Sequence, residues 1–463
     1  MDIFEALKDL PDFPVYAVAF SGGADSLALL DALSKTVGIK RVAALHYDHG
    51  IRGRESAEDA AFCEAFAKSL GVRFFLGKAR KGFLKSPPKG QNQEALARRS
   101  RYAFFGRICK REKIGCLLTA HHADDAAETM LMRLIRGSGP RGLSGLKEKV
   151  YLEELFPDIR AKVLIARPLL DVASSDCKKY CLENGLPFRT DSTNSDTAYT
   201  RNWLRLEIMP RLAARTGEAL PLKLRRTAQL LEEQSDFVRR SAYEFLSQNA
   251  KEAPFGVLMD IDPFLKAHPA LQGEVLRILA DPAGSWDFRA TKKALEALKL
   301  GEKTPITPPG PWRWIVVGGK LVFFREDLSL KKFFKKALKV KKAKARGQGY
   351  SDNGAGWLSW LKGERVVFRE YLKKGDYEFV NFRNGMRYGF VNGPSRKLGD
   401  VFTDANIPLF LRGMIPLVSG GDEIMWVPGW RIARKAAIKE GDEALEITLA
   451  LPAAEPFKGD TKC

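Results

Sequence analysis

The sequence predicts an α/β chain. A parallel sheet with helices on both faces comes first, then a mostly helical region, then a small α+β end. Three observations carry that expectation. Short apolar runs alternate with helical patterns as far as about Leu212, polar motifs stand directly after several of those runs, and the periodicity changes from about Gly217. Strands alternating with helices build a parallel sheet covered on both sides. Ligands of such sheets gather at the carboxyl ends of the strands.

In chain order, Val15–Phe20 is the first strand and runs into Ser21-Gly22-Gly23-Ala24-Asp25-Ser26, with a helix opening near Leu27 and continuing to Ser34. Val42–His46 is a buried strand, Ala57–Leu70 a helix, Arg73–Leu76 a strand, and Glu94–Lys113 a helix. Gly115–Ala120 is a further strand and Asp124–Ile135 a further helix. Later, Leu224, Ala228, Leu231, Val238, Ala242 and Phe245 recur at helical spacing and mark one core-facing stripe. Trp314–Val317 and Leu321–Phe324 flank Gly318-Gly319, a hairpin signal. Lys331–Arg346 contains no acid and leads into Gly347-Gln348-Gly349, which predicts a basic linker. The expected domains are 1–215, 216–330 and 350–463, with the linker at 331–349.

Composition narrows the class. A chain of 463 residues exceeds one ordinary core, and 45% hydrophobic content fits folded domains rather than disorder. A formal net charge of +20 predicts a polyanionic partner, nucleic acid first. No run of 18 apolar residues occurs, and acid stands near the N-terminus where a signal peptide needs base, so a cytosolic protein is expected. Six irregularly spaced cysteines without Cys-x-x-Cys read as reduced thiols.

Ser21–Ser26 has the chemistry of a pyrophosphate-grasping loop, which points to ATP cleaved between its α and β phosphates. Glycines let backbone approach phosphate, and the next helix aims amide N–H groups at the same anion. Ser21 and Ser26 add hydroxyls, and Asp25 suits a Mg²⁺ bridging the phosphates. Four of the five histidines lie in two strand-end motifs, His46-Tyr47-Asp48-His49-Gly50-Ile51-Arg52 and Thr119-Ala120-His121-His122-Ala123-Asp124-Asp125-Ala126-Ala127-Glu128-Thr129. Asp125 and Glu128 stand three apart on one helix face, where two anions hold either Mg²⁺ or an ammonium. Arg136 and Arg141 in the glycine-rich stretch after that helix offer charge to phosphate. Arg98 and Arg101 offer base to a ligand, as do Arg201 and Arg205, one helical turn apart.

These segments, with Arg167-Pro168-Leu169-Leu170 and Asp191–Arg205, resemble in order the tRNA(Ile)-lysidine synthase family over nearly all of the first 210 residues. A weaker resemblance runs through Arg396-Lys397-Leu398, Ile407-Pro408, Leu411-Arg412, Ile415-Pro416-Leu417 and Val427-Pro428-Gly429, similar to the small C-terminal RNA-binding domain of longer members. The resemblance implies a fold of the adenine nucleotide alpha hydrolase-like kind and an ATP-dependent ligase. It joins lysine to the wobble cytidine of an isoleucine tRNA with a CAU anticodon, through an adenylated cytidine.

The residues carried over are Ser21, Gly22, Gly23, Ala24, Asp25 and Ser26 for ATP, with Mg²⁺ at Asp25, and Asp125 and Glu128 for lysine. Asp25, His49, His121, Arg136 and Arg205 are expected in catalysis; Arg98, Arg101, Arg201, Arg396, Lys397 and Arg412 on tRNA. Which group removes the lysine proton stays open among His49, His121 and the acids, and a homodimer stays open too. The alternatives are a tRNA thiolase with the same loop, which commonly needs paired cysteines, and a non-catalytic RNA-binding protein.

Overall fold

The computed structural model describes the chain except residues 1, 51–52, 81–92, 190–198, 218, 281–287, 301–311, 326–333, 335–336, 346–350, 391–393, 422, 431 and 458–463. It divides into two compact units, Met1–Ser235 and Asp236–Cys463.

The first unit is built on six strands: β1 (Tyr16–Ala19), β2 (Val42–Asp48), β3 (Arg73–Lys78), β4 (Cys116–Leu118), β5 (Lys149–Tyr151) and β6 (Leu164–Ala166), in the order β3-β2-β1-β4-β6-β5. All neighbours run parallel except β5 against β6. The expected parallel sheet is therefore present, with one antiparallel edge. Alternate residues point to opposite faces of a strand, and here both faces are dry. Tyr16, Val18, Val42, Ala44, Cys116 and Leu118 join one core, while Ala17, Ala43, Leu45, Leu117 and Ile165 join the other. That double burial is why these strands read as unbroken apolar runs.

Helices α1 (Ile3–Ala6), α2 (Ala24–Val37), α3 (Arg54–Ser69), α4 (Gln93–Arg111), α5 (Ala123–Ile135), α6 (Pro140–Leu143), α7 (Leu152–Leu155) and α8 (Ser174–Glu183) accompany the sheet. Leu27, Leu30 and Leu33 of α2 and Cys177 of α8 pack on the first face; Tyr102, Phe105 and Ile108 of α4 pack on the second. α2 opens at Ala24 rather than near Leu27, because Gly23 in extended conformation is its N-cap. The strand expected over Gly115–Ala120 shortens to Cys116–Leu118. α9 (Thr200–Trp203) passes through a π-helical turn, Leu204–Ile208, into α10 (Met209–Thr216), and α11 (Leu220–Asn249) carries the apolar stripe read from the sequence. The strand order reverses between β1 and β4, and that switch point is where a doubly wound sheet leaves a crevice.

In the second unit, helices Ile261–Lys266, Pro269–Ala280 and Phe288–Lys299 pack with antiparallel strands β7 (Ala250–Ala253), β8 (Gly256–Asp260), β9 (Trp312–Val317) and β10 (Lys320–Arg325). β9 and β10 form the expected hairpin, and Gly318 and Gly319 both take positive φ (54° and 75°), as its two-residue turn requires. Leu321 and Phe323 face the core with Phe264 and Leu276; Val322 and Phe324 face the one around Trp357, Trp360, Phe402 and Trp426. Part of the segment expected as a basic linker is instead a strand, Leu338–Lys344, paired antiparallel with Glu443–Leu451. Its lysines meet acid across the ladder, with Lys341 Nζ 3.2 Å from Glu446. The rest of that segment, apart from Phe334, Ala337 and Ala345, lies outside the described residues. Among the described residues no helix is long and apolar enough to cross a membrane.

Candidate active site

A cavity of about 960 Å³ lies at the carboxyl ends of β1, β2 and β4. One wall is the turn between β1 and α2. Ser26 Oγ donates to the Gly23 carbonyl at 3.0 Å and accepts from the Ser21 amide at 3.2 Å, so the turn is braced from within. Gly22 sits at φ +85°, and a Cβ there would stand 3.0 Å from Cys63 Sγ and 3.2 Å from the Phe62 ring. Gly23 differs: a Cβ would find only Ser21 Oγ, at 3.6 Å. The first glycine answers to the fold. The second answers to nothing within the chain, as expected where backbone must approach a ligand. Ser21, Gly23, Ala24, Asp25 and Ser26 line the cavity, and Gly22 lies buried behind them.

Four histidines surround this wall, three held below the ordinary imidazole range and one above it. His46 is buried, and its Nδ1 donates to the Phe20 carbonyl at 2.8 Å. Burial holds it below the ordinary imidazole pKa. Burial, then Arg101, pushes His49 down to about 4. His121 lies well below the usual range, chiefly through burial, and its Nδ1 stands 2.8 Å from Thr119 Oγ1. His122 goes the other way: burial opposes its charge, but Asp124, Asp125 and Asp25 together raise its pKa. Its Nε2 lies 3.6 Å from Asp25 and 3.4 Å from Asp125. Asp25 itself is raised, first by burial and also by Asp125, with His122 opposing.

The opposite wall is the first turn of α5. Asp125 and Glu128 are buried on one helix face, as their spacing predicts, and two arginines cover them. Arg201 reaches Asp125 at 2.7 Å and Glu128 at 2.8 Å; Arg205 reaches Glu128 at 2.6 Å and Asp125 at 3.1 Å. Burial would raise the Asp125 carboxyl, but His122, Arg201, His121 and Arg205 hold it below its ordinary value. A phosphate-seeking turn, three imidazoles held below their ordinary range and Glu128 thus line one cavity, with Asp125 caged beside Glu128, an arrangement suited to nucleotide activation followed by attack of an amine.

Residues 3–212 match a model described as a PP-loop domain, and residues 380–449 match a TilS substrate C-terminal domain. A tRNA(Ile)-lysidine synthase of Symbiobacterium thermophilum is 30% identical over 448 residues, covering 89% of each chain. That of Ralstonia nicotianae is 30% identical over 90% of this chain and 88% of its own, and that of Caldanaerobacter subterraneus 28% identical over 90% of each. The chain belongs to the tRNA(Ile)-lysidine synthase family.

Against that family's expected site, the structure gathers Ser21–Ser26, His49, His121, Glu128 and Arg205 around the cavity and leaves Arg136 outside it. Arg136 caps the far end of α5, exposed, roughly 16 Å along the helix from Asp125 at 1.5 Å per residue. Arg201, expected on tRNA, is instead turned onto the acid pair. Arg101 lines the cavity and Arg98 is exposed beside it on α4, both within 6 Å of the Tyr102 ring centroid (5.8 and 5.6 Å).

In the second unit Arg396 and Lys397 are exposed, with Arg396 2.6 Å from Asp404. Arg412 is turned inward: it donates to the Ile407 carbonyl at 2.8 Å and to Thr403 Oγ1 at 3.0 Å. The expected residues Ile51, Arg52 and 191–196 lie outside the described residues. Sequence reasoning missed His122 as the member of the histidine pair facing the carboxylates. It also missed Ser174, whose amide donates to Asp124 at 2.9 Å and whose hydroxyl lies 3.4 Å from Asp25. No motif marks Ser174.

Proposed function

We propose that this cavity joins lysine to carbon 2 of the wobble cytidine of an isoleucine tRNA with a CAU anticodon, at the expense of ATP. The carbonyl oxygen on carbon 2 of cytosine attacks the α-phosphate of ATP and pyrophosphate leaves. The ε-amino group of lysine then attacks carbon 2 and AMP leaves. Lysidine pairs with A instead of G, so codon and amino-acid identity change together.

The chain's own groups divide between these steps. The Ser21–Ser26 turn and the amides opening α2 take the departing pyrophosphate, where fixed dipoles stabilise developing charge without reorganising. Asp25 would hold Mg²⁺, which when bound neutralises phosphate charge. One carboxylate with substrate phosphates is a sufficient donor set, since this ion is rarely caged by protein alone. Asp125 and Glu128 receive the lysine ammonium by charge-assisted hydrogen bonds, in place of a guanidinium now on them. His49 and His121 line the cavity and, with the acids, are the groups placed to take the proton the amine loses. Arg98 and Arg101 at the cavity, and Arg396 and Lys397 on the second unit, supply positive charge to RNA phosphates. The cytosine must leave its stack to reach ATP, at a cost of about a few kcal/mol that is least in a single-stranded loop.

The observation that carries this reading is one cavity lined by both the phosphate turn and Glu128, with Asp125 buried beside Glu128 under the same two arginines, in a chain related to this family over about 90% of its length. The thiolase alternative finds no reactive thiol among the described residues. Burial pushes Cys63 up to about 12 and Cys181 up to about 11, and raises Cys177 too. The test is a tRNA transcript bearing CAU, incubated with labelled lysine and ATP. Lysine enters the RNA with AMP and pyrophosphate released in step, and Asp25→Ala abolishes it. Absence of incorporation in the unaltered chain refutes the function, and incorporation surviving in Asp25→Ala refutes that residue's role.

A further inference from the structure

His122 belongs to neither half of the chemistry above, yet it touches both. It is the N-cap of α5 and only 4% exposed. Its Nε2 faces Asp25 Oδ2 of the phosphate wall at 3.6 Å and Asp125 Oδ2 of the amine wall at 3.4 Å. Its Nδ1 faces Asp124 Oδ2 at 3.4 Å, and that same oxygen accepts the Ser174 amide. Ser174 Oγ returns to Asp25 at 3.4 Å, which closes a ring from α2 through α5 and α8 back to α2. The His122 backbone amide donates to Asp125 at 3.2 Å. Nδ1 is buried without a hydrogen-bond partner, so the ring is close to its carboxylates but not locked on them. Long contacts of this kind around a catalytic site tighten in the working complex.

We propose that His122 is a positioning residue that ties Asp25 on the nucleotide side to Asp125 on the amine side, oriented from behind by Asp124 and Ser174. The inference rests on the ligase reading. The geometry predicts which nitrogen matters. A glutamine places its amide nitrogen near the position of Nε2, and an asparagine places its own near Nδ1.

The experiment uses the full chain and measures two half-reactions: tRNA-dependent exchange of pyrophosphate into ATP, and transfer of lysine to adenylated tRNA. His122→Gln keeps both within a few-fold. His122→Asn loses about 10–100-fold in kcat of both, the usual cost of losing an orienting partner, with KM for tRNA unchanged. Asp124→Asn reproduces that loss, and adding it to His122→Asn costs little more, because both act through one ring. Equal losses in the Gln and Asn variants, loss confined to one half-reaction, or full activity in Asp124→Asn overturns the proposal. An unaltered chain inactive in both half-reactions would instead overturn the ligase reading itself.

Discussion

Arg201 is the sharpest probe of how the acid pair receives an amine. The perturbation is Arg201→Ala. Its guanidinium makes two bonds, 2.7 Å to Asp125 and 2.8 Å to Glu128, and its side chain is 39% exposed while that of Glu128 is 2% exposed. Hydrogen bonds to charged groups are worth about 1.5–3 kcal/mol each. Two of them, discounted for a half-solvated guanidinium and for Arg205 remaining on both acids, leave about 1–2 kcal/mol. If lysine must displace Arg201, that cost weakens lysine binding to the intact chain. Deleting the arginine returns it, and lysine binds about 5–30-fold more tightly. Calorimetric titration of lysine without tRNA, in the variant and the intact chain, reads the difference directly. Unchanged or weaker binding in the variant would refute the reasoning, because the guanidinium would then be part of the amine site rather than its occupant.

The two glycines of the phosphate turn separate folding from binding. Gly22→Ala meets both a left-handed backbone and Cys63 Sγ at 3.0 Å, so it destabilises the first unit by roughly 1–3 kcal/mol in denaturant titration. Gly23→Ala has room and leaves that stability unchanged, but raises KM for ATP. His49 makes stability pH-dependent with a defined sign. Its folded pKa of about 4 lies below the ordinary 6.5, so between those values the unfolded chain takes a proton the folded one refuses. Stability therefore falls as pH drops from 6.5 to 4, by less than about 1.4 kcal/mol per unit because the ring is partly solvated. His49→Gln flattens that slope in melts across the range. Arg412→Ala frees the Thr403 and Ile407 contacts, so loss of RNA affinity comes with faster hydrogen exchange in Leu398–Asp404. Lost affinity with unchanged exchange would make Arg412 a direct RNA contact.

Most of the sheet was legible because parallel strands are buried on both faces, and Val42–Leu45 or Cys116–Leu118 can then be nothing but apolar. β5 was not legible, since it is an antiparallel edge strand with only Val150 buried and so shows no apolar run, and β6 was passed over although Leu164–Ala166 is apolar. Asp125 and Glu128 were found by their spacing on a helix. Their arginines were not, because Arg201 and Arg205 lie 73 and 77 residues from Glu128 and no local pattern reports such a pairing. Of the histidine pair, His121 was singled out from the sequence and His122 was not, although both line the cavity. His121 and His122 straddle the junction between a strand end and a helix, where neither the two-residue nor the 3.6-residue period holds. One ring turns to Thr119 and the other to three carboxylates.

The same junctions explain why the site needs its cations. α2, α5 and α8 all open around Asp25, Asp124 and Ser174, so three positive helix ends converge there. Acids in the first turns, Asp25, Asp124, Asp125 and Asp176, complement those ends. A triphosphate competes for the same amides and brings more negative charge than they were holding. Asp25, already raised by burial and by Asp125, has no room for a further anion unless positive charge arrives with it. Lysine binding supplies some indirectly. On the proposed function, an ammonium on Asp125 and Glu128 would release a guanidinium, and Arg205 already lines the cavity proposed for the phosphates. Amine and nucleotide should therefore favour each other's binding, and lysine should tighten ATP by the same factor as ATP tightens lysine, since coupling between two sites is reciprocal. Independent binding of the two would show that the arginines stay on the acids throughout the reaction.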